Sequence, residues 1–149
     1  MLAFWLAVVA AVALVGSSVT LAKIPTWYAG LAKPSFTPPN SLFGPVWTVL
    51  YVMMALAAWR IGAASDAART RAVALFAVQL ALNAIWSPVF FGLEAPKLAL
   101  AVITALMFSL AATLATFWRI DRPAALLLAP YLVWVCYASA LNAAIVALN

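Results

Sequence analysis

Three stretches of the chain set a large aromatic ring beside a hydrogen-bonding or small side chain at helical spacing. Trp47 and Tyr51 are four apart; Gln79, Asn83 and Trp86 fall at i, i+4 and i+7; Tyr131, Trp134, Ala138, Leu141 and Asn142 form a third stripe. On helices, each set shares a face. Turned toward one another, these faces would enclose a flat, apolar, aromatic-lined pocket with one or two hydrogen-bonding groups, suited to a planar or polycyclic ligand. Each residue also has a purely structural alternative. Asn83 and Asn142 can join helices through hydrogen bonds, each worth about 0.6 kcal/mol in a membrane. Trp47 can be an interfacial anchor, and Pro88 and Pro130 can simply kink their helices.

The same inventory excludes much chemistry. The chain contains no histidine, which removes the commonest metal ligand and the commonest general base together. Its acidic residues, Asp66, Glu94 and Asp121, are isolated from one another. No carboxylate pair, Ser-His-Asp set or metal cluster can be assembled from them, so neither hydrolysis nor a metal site is expected. Cys136 is the sole cysteine, so no internal disulfide can form.

The elements that must position these faces are membrane spans. Of 149 residues, 69% are hydrophobic and 7% charged, too much apolar surface for a soluble protein of this size to hide. About 20 apolar residues cross a bilayer, and five such runs occur: 2–22, 43–60, 72–91, 98–118 and 124–148. The expected fold is therefore an all-α integral membrane protein, a single five-helix transmembrane domain covering residues 1–149. Asn40 and Ser41 are candidate caps for the second helix, with Pro45 in its first turn. Gly92 can end the third, Pro96 open the fourth, and Asp121 with Pro123 start the fifth. The first run lacks a basic n-region and is too long for a signal-peptide core, so it is read as a retained span. No internal repeat suggests an inverted-repeat transporter. No ionisable residue lies in a span away from its ends, which disfavours an ion-coupled pump or charge-gated channel.

The net charge of +5 comes without a basic stripe or tail, so nucleic acid is not an expected partner; anionic lipid headgroups are. Lys23, Lys33 and Lys97 fall on one side of the bundle, and Arg60, Arg69, Arg71, Arg119 and Arg122 on the other. The richer side is expected to be cytoplasmic, with the N-terminus inside. Trp5, Trp59 and Trp118 are expected as interfacial anchors. Ala101, Ala105, Ser109 and Thr113 make a ridge of small residues on the fourth span, for packing within the bundle or for a homodimer seam.

Between the first two spans, Lys23 to Ser41 is longer than most connections and carries Trp27, Tyr28, Leu31 and Phe36. Such loops tend to be lids or disordered linkers. These residues gain by burial, and Pro25, Pro34, Pro38 and Pro39 reduce the entropy lost on ordering, so the segment 23–41 is read as a lid over the bundle mouth.

WYAGLAKPSFTPP, GPVWTVLY, QLALNAIWSPVFFG and PYLVWVCYASALN, in that order, resemble the translocator protein family, whose bacterial members are called tryptophan-rich sensory proteins (TspO/MBR). The likeness covers nearly the whole chain. It implies a five-helix bundle whose first loop covers a pocket for porphyrins, sterols and benzodiazepine-type ligands. Carried onto this sequence, it implies ligand-binding roles for Trp47, Asn83 and Trp134, a lid role for Tyr28, and a pocket-wall, sterol-sensitive role for Ala138; Tyr51 joins this set from its position beside Trp47. The basic residue of the mammalian C-terminal sterol motif is missing after Arg122, so high-affinity cholesterol binding is not expected.

The leading expectation is a membrane receptor or carrier for a tetrapyrrole, protoporphyrin IX in the first place, with a role in tetrapyrrole or stress regulation. No cofactor is required, and without histidine a metal-free porphyrin is favoured over ligated haem. Lys23 or Lys33 would meet the propionates. The resemblance also implies an enzyme-like alternative, light- or oxygen-dependent degradation of protoporphyrin with Trp47 and Trp134 as candidate reacting residues. Facilitated transport of porphyrin is a third reading, and a scaffold signalling through partners a fourth. A bacterial cell membrane is the expected location, with an outer membrane the alternative because relatives occur there.

Overall fold

The computed structural model describes residues 1–65 and 67–149; Asp66 lies outside them. Among the described residues there are five long helices and no strand: α1 (Leu2–Lys23), α2 (Asn40–Ala63), α3 (Arg69–Ser87), α4 (Pro96–Ile120) and α5 (Arg122–Leu148). All five are long and apolar enough to cross a membrane. The protein is a multi-pass membrane bundle.

Two helices continue through a single π-helical turn. Ile24–Tyr28 extends α1 and Pro88–Gly92 extends α3. Proline has no N–H to donate, and Pro25 and Pro88 each fall at the start of a π turn, where a lost i→i−4 bond is absorbed by the wider winding. The extension revises the expected lid: residues 23–30 are helical, and only residues 31–39 leave the helix geometry.

Helix starts follow the turn chemistry in part. Pro96 is at the first turn of α4. Asp121 caps α5, accepting from the Ala124 N–H at 3.4 Å. For α2 the expected cap does not form: the boundary residue is Pro39, and Asn40 is already helical. Pro39 supplies the fixed φ that launches the helix. The earlier start leaves Pro45 in the interior of α2, beyond its first turn.

Packing divides the bundle into two halves. Away from the lid, Ala55, Ala57, Ala58, Ala72, Ala124 and Ala125 are all buried at 2% exposure or less, letting backbones approach closely. Phe76, Phe117, Met54 and Ile61 fill what remains. Trp5 belongs here rather than among the membrane anchors, since its ring packs edge-on against Phe76 at 5.4 Å. Trp59 and Trp118 are 38% and 44% exposed at the helix ends, as interfacial anchors would be. The α4 ridge also splits: Thr113 is buried, Ser109 half-buried, and Ala101 and Ala105 face outward.

Toward the lid the helices separate. There the side chains between them are Trp47, Tyr51, Trp86, Phe90 and Trp134, too bulky for close approach. Helix α1 closes this half loosely. Only 6% of its most apolar stretch is buried, against 28–33% in the other four helices.

Candidate functional site

The hollow half encloses a cavity of about 590 Å³. Tyr28, Trp47, Tyr51, Asn83, Trp134 and Ala138 all line it. So do Trp86 and Asn142, which shared the predicted helix faces; Gln79 does not, being fully buried outside the lining.

The polar groups are held by a chain of hydrogen bonds between three helices. Tyr51 Oη on α2 donates to Asn83 Oδ1 on α3 at 2.9 Å. Asn83 Nδ2 donates to Tyr131 Oη on α5, also at 2.9 Å. Tyr131 is wholly buried and Asn83 is 7% exposed, so each would be costly to leave unpaired. The two bonds fix which end of the Asn83 amide faces which neighbour, leaving one N–H and one lone pair uncommitted by them. Asn142 makes a second tie, accepting from Trp86 Nε1 at 3.3 Å and donating to the Pro96 carbonyl at 2.9 Å. Both asparagines therefore join helices and line the cavity, so the structural and pocket readings of each coexist.

The rings pack mostly edge-on or tilted, the favoured arrangements for aromatic pairs. Trp47 meets Tyr51 at 5.4 Å and Tyr131 at 6.0 Å. Trp134 meets Phe43 at 6.0 Å, and Trp86 stacks on Phe90 at 5.1 Å. Each indole on the cavity wall thus has its position set by a neighbour.

From the lid, Ile24 and Tyr28 reach the cavity. Tyr28 is 4% exposed and lies against Phe91 at 5.6 Å. Trp27 instead packs edge-on on Phe90 and Phe91. Phe36 lies over Tyr137 on the outer side of α5, and Tyr137 Oη donates to the Phe36 carbonyl at 2.6 Å. Asn149 clasps Ala32 from both sides, accepting from its N–H at 3.0 Å and donating to its carbonyl at 2.9 Å. The segment is therefore anchored along its length, but only its two helical ends face the cavity, through Ile24 and Tyr28 at one and Asn40 at the other.

Neither lysine considered for propionates is free. Lys33 Nζ donates to the carbonyls of Tyr28 and Leu31 at 2.8 and 2.9 Å, capping the π turn that carries Tyr28. Lys23 pairs with Glu94 at 2.6 Å. Glu94 itself sits at φ 53°, a conformation uncommon for a non-glycine residue, at the corner the ion pair ties to α1.

Sequence reasoning missed the α1 wall. Leu6, Val9, Ala10, Ala13, Gly16, Ser17 and Thr20 line the cavity, and the helical spacing of the small and hydroxyl residues Ala10, Ala13, Ser17 and Thr20 was the available signal. Phe90 had a usable signal, since it follows Asn83 and Trp86 at helical spacing. Several lining residues of α1 and α2, among them Ala10, Ser17, Gly44 and Thr48, are exposed, so the cavity is not sealed off along these two helices.

Comparison with known proteins agrees with this architecture along the whole chain. The TspO/MBR family profile matches residues 4–148. The tryptophan-rich protein TspO of Archaeoglobus fulgidus is 45% identical over 144 residues, covering 95% of this chain and 92% of that protein. Its Chlorobaculum tepidum namesake is 42% identical over 142 residues, covering 93% and 89%. The human translocator protein is 38% identical over 119 residues, covering 78% of this chain and 70% of its own. An aromatic cavity inside five apolar helices, and a family match over nearly every residue, lead to one conclusion: the chain belongs to the TspO/MBR family.

Proposed function

We propose that this protein is a membrane receptor or carrier that binds a planar tetrapyrrole, metal-free protoporphyrin IX in the first place, in the cavity between its helices. The observation that carries this reading is the cavity's make-up: indoles of Trp47, Trp86 and Trp134 around a volume of about 590 Å³, with Asn83 oriented by two tyrosines. That volume lies within the roughly 300–1,000 Å³ usual for small-molecule sites. Trp47 and Trp134 would meet the macrocycle faces, Asn83 its polar edge, and Tyr28 would close the lid side. Because Lys23 and Lys33 are engaged, the propionates would point past them toward water or displace one of their bonds. Sterol-like and benzodiazepine-type ligands fall within the same apolar reach.

The test is a protoporphyrin IX titration of the detergent-solubilised protein followed by tryptophan fluorescence, with a Trp47→Phe/Trp134→Phe variant alongside. Saturable quenching that weakens at least tenfold in the variant is the expected result. Identical curves, or quenching that never saturates, would remove the assignment.

A carrier role draws its support from the exposed lining residues of α1 and α2, because a cavity that is not sealed can exchange an amphipathic ligand with its surroundings. Faster porphyrin flux into proteoliposomes than into protein-free liposomes is the expected outcome. Degradation of the porphyrin would require several product equivalents per protein, lost in the same double variant while binding persists.

A further inference from the structure

The two ends of the bundle carry different cations. All three lysines fall at the lid end and all five arginines at the other. The N-terminus joins the arginines, since the Met1 side chain lies beside Gly62 near the end of α2. The positive dipole ends of α3 and α5, which start at Arg69 and Arg122, point there too. Asp121 is the sole carboxylate at this end among the described residues.

Within this end is an open depression of about 520 Å³, between the last turn of α2 and the corner joining α4 to α5. Its lining is Trp59, Arg60, Ala63, Ala64, Ile120, Asp121 and Arg122. Arg60 is fixed by a two-pronged bond to Asp121, Nε at 2.9 Å and Nη2 at 3.2 Å. That bond engages both Asp121 oxygens and leaves the Nη1 side of the guanidinium uncommitted. Arg122 is exposed and has no acidic partner among the described residues; its Cζ lies 5.6 Å over the Trp118 ring. One cation is thus held by a carboxylate and the other by an indole, both with donors to spare. Ala63, Ala64 and Ile120 supply the apolar part of the depression's floor.

We propose that this depression is a binding site for the phosphate of an anionic glycerophospholipid. Guanidinium forks match phosphate oxygens in geometry as well as charge. The apolar floor suits the glycerol and upper acyl region, and Trp59 and Trp118 sit where indoles mark the headgroup layer. Two arginines against one already-paired carboxylate give the site a net attraction for a single negative charge. A free phosphate would use the arginines but gain nothing from the floor. The site is at the far end of the bundle from the cavity, so a lipid there would anchor the packed half and leave ligand exchange to the other.

Native mass spectrometry of the detergent-solubilised protein tests this, with phosphatidylglycerol, phosphatidylcholine of the same acyl chains, and inorganic phosphate as probes. Phosphatidylglycerol is expected to saturate at one tightly held molecule per chain. Arg122→Gln should weaken it about fivefold, the effect of one basic residue near a membrane surface. Arg122→Lys should recover part of this, Trp118→Leu should weaken binding by less, and Arg69→Gln, outside the depression, should leave it unchanged. Three results would overturn the proposal: equal retention of phosphatidylcholine, equal weakening by Arg69→Gln and Arg122→Gln, or inorganic phosphate binding as tightly as the lipid. Arg122 and Trp118 are both exposed, so neither substitution disturbs the core, and unchanged melting of the lipid-free variants checks this.

Discussion

The packed and hollow halves of the bundle are built from the same five helices, and the difference between them is side-chain size at the contact. At Ala55, Ala58, Ala72, Ala124 and Ala125 the side chains are small and buried, which lets helix backbones approach closely. Where Trp47, Trp86 and Trp134 meet, the helices are held apart and a cavity of about 590 Å³ remains between them. A membrane protein gains little from burying apolar groups away from lipid, so close packing and hydrogen bonds must supply the cohesion. The packed half uses the first, the hollow half the second. Close packing and the open cavity therefore fall at different ends.

The comparison can be broken most severely from the packed side. Ala55→Leu forces a larger side chain between fully buried helices, and overpacking of this kind costs about 1–3 kcal/mol. Thermal melting in detergent should show the loss, with porphyrin binding by the surviving folded fraction little changed. A melting curve like that of the wild type would mean that the alanine contacts are not what holds this half together.

The hollow half should respond in the opposite sense to Asn83→Leu. Both tyrosine hydroxyls lose their partner at once, a cost of about 1–2 kcal/mol if the bonds behave like others in membranes. Porphyrin affinity should fall by more than tenfold, a larger effect than the melting shift implies. If binding survives while melting falls, Asn83 is only a joint between helices.

Gln79 sharpens the boundary between the halves. It is fully buried, and neither its Nε2 nor its Oε1 has a hydrogen-bond partner among the described residues. Removing an unsatisfied buried amide in favour of an apolar side chain of similar shape should stabilise the fold. Gln79→Met is expected to raise stability by about 1 kcal/mol, read as a higher melting temperature. A lower one would mean that the amide holds something that matters to the fold.

The smallest effect is expected at Gly16 on the α1 wall. An added Cβ would meet Ser87 Oγ at 3.5 Å, an ordinary contact. Gly16→Ala should not lower the melting temperature, since the added Cβ fits and helix propensity favours the change by at most about 1 kcal/mol, and should alter porphyrin affinity less than threefold. A loss comparable to that of Asn83→Leu would make α1 a recognition wall rather than a loose cover.

How much of this was legible beforehand varied with the physics involved. Five spans could be counted because lipid tolerates no long charged segment, and all charges fall between or at the ends of the runs. The faces carrying Trp47, Asn83 and Trp134 could be read because helical period maps spacing onto direction. The α2 start could not be placed to the residue, because Pro39 and Asn40 offer competing helix starts and only the backbone chooses between them. The lid was legible as an ordered segment from its aromatics and prolines. That its first part continues α1 was not, because a π turn carries no composition of its own.

The sequence by itself determined the solvent, the number of crossings, the sorting of lysines and arginines to opposite ends, and which faces are aromatic. These follow from hydropathy and from the 3.6-residue period, which act within one segment at a time. Tertiary structure alone decided that α1 supplies a cavity wall, that Trp5 turns inward onto Phe76, that Lys23 and Lys33 are engaged, and that Gln79 falls outside the lining. Each of these depends on what a neighbouring helix brings to the contact, and a helix with apolar residues on every side does not reveal from its own pattern which side will meet protein and which will meet lipid.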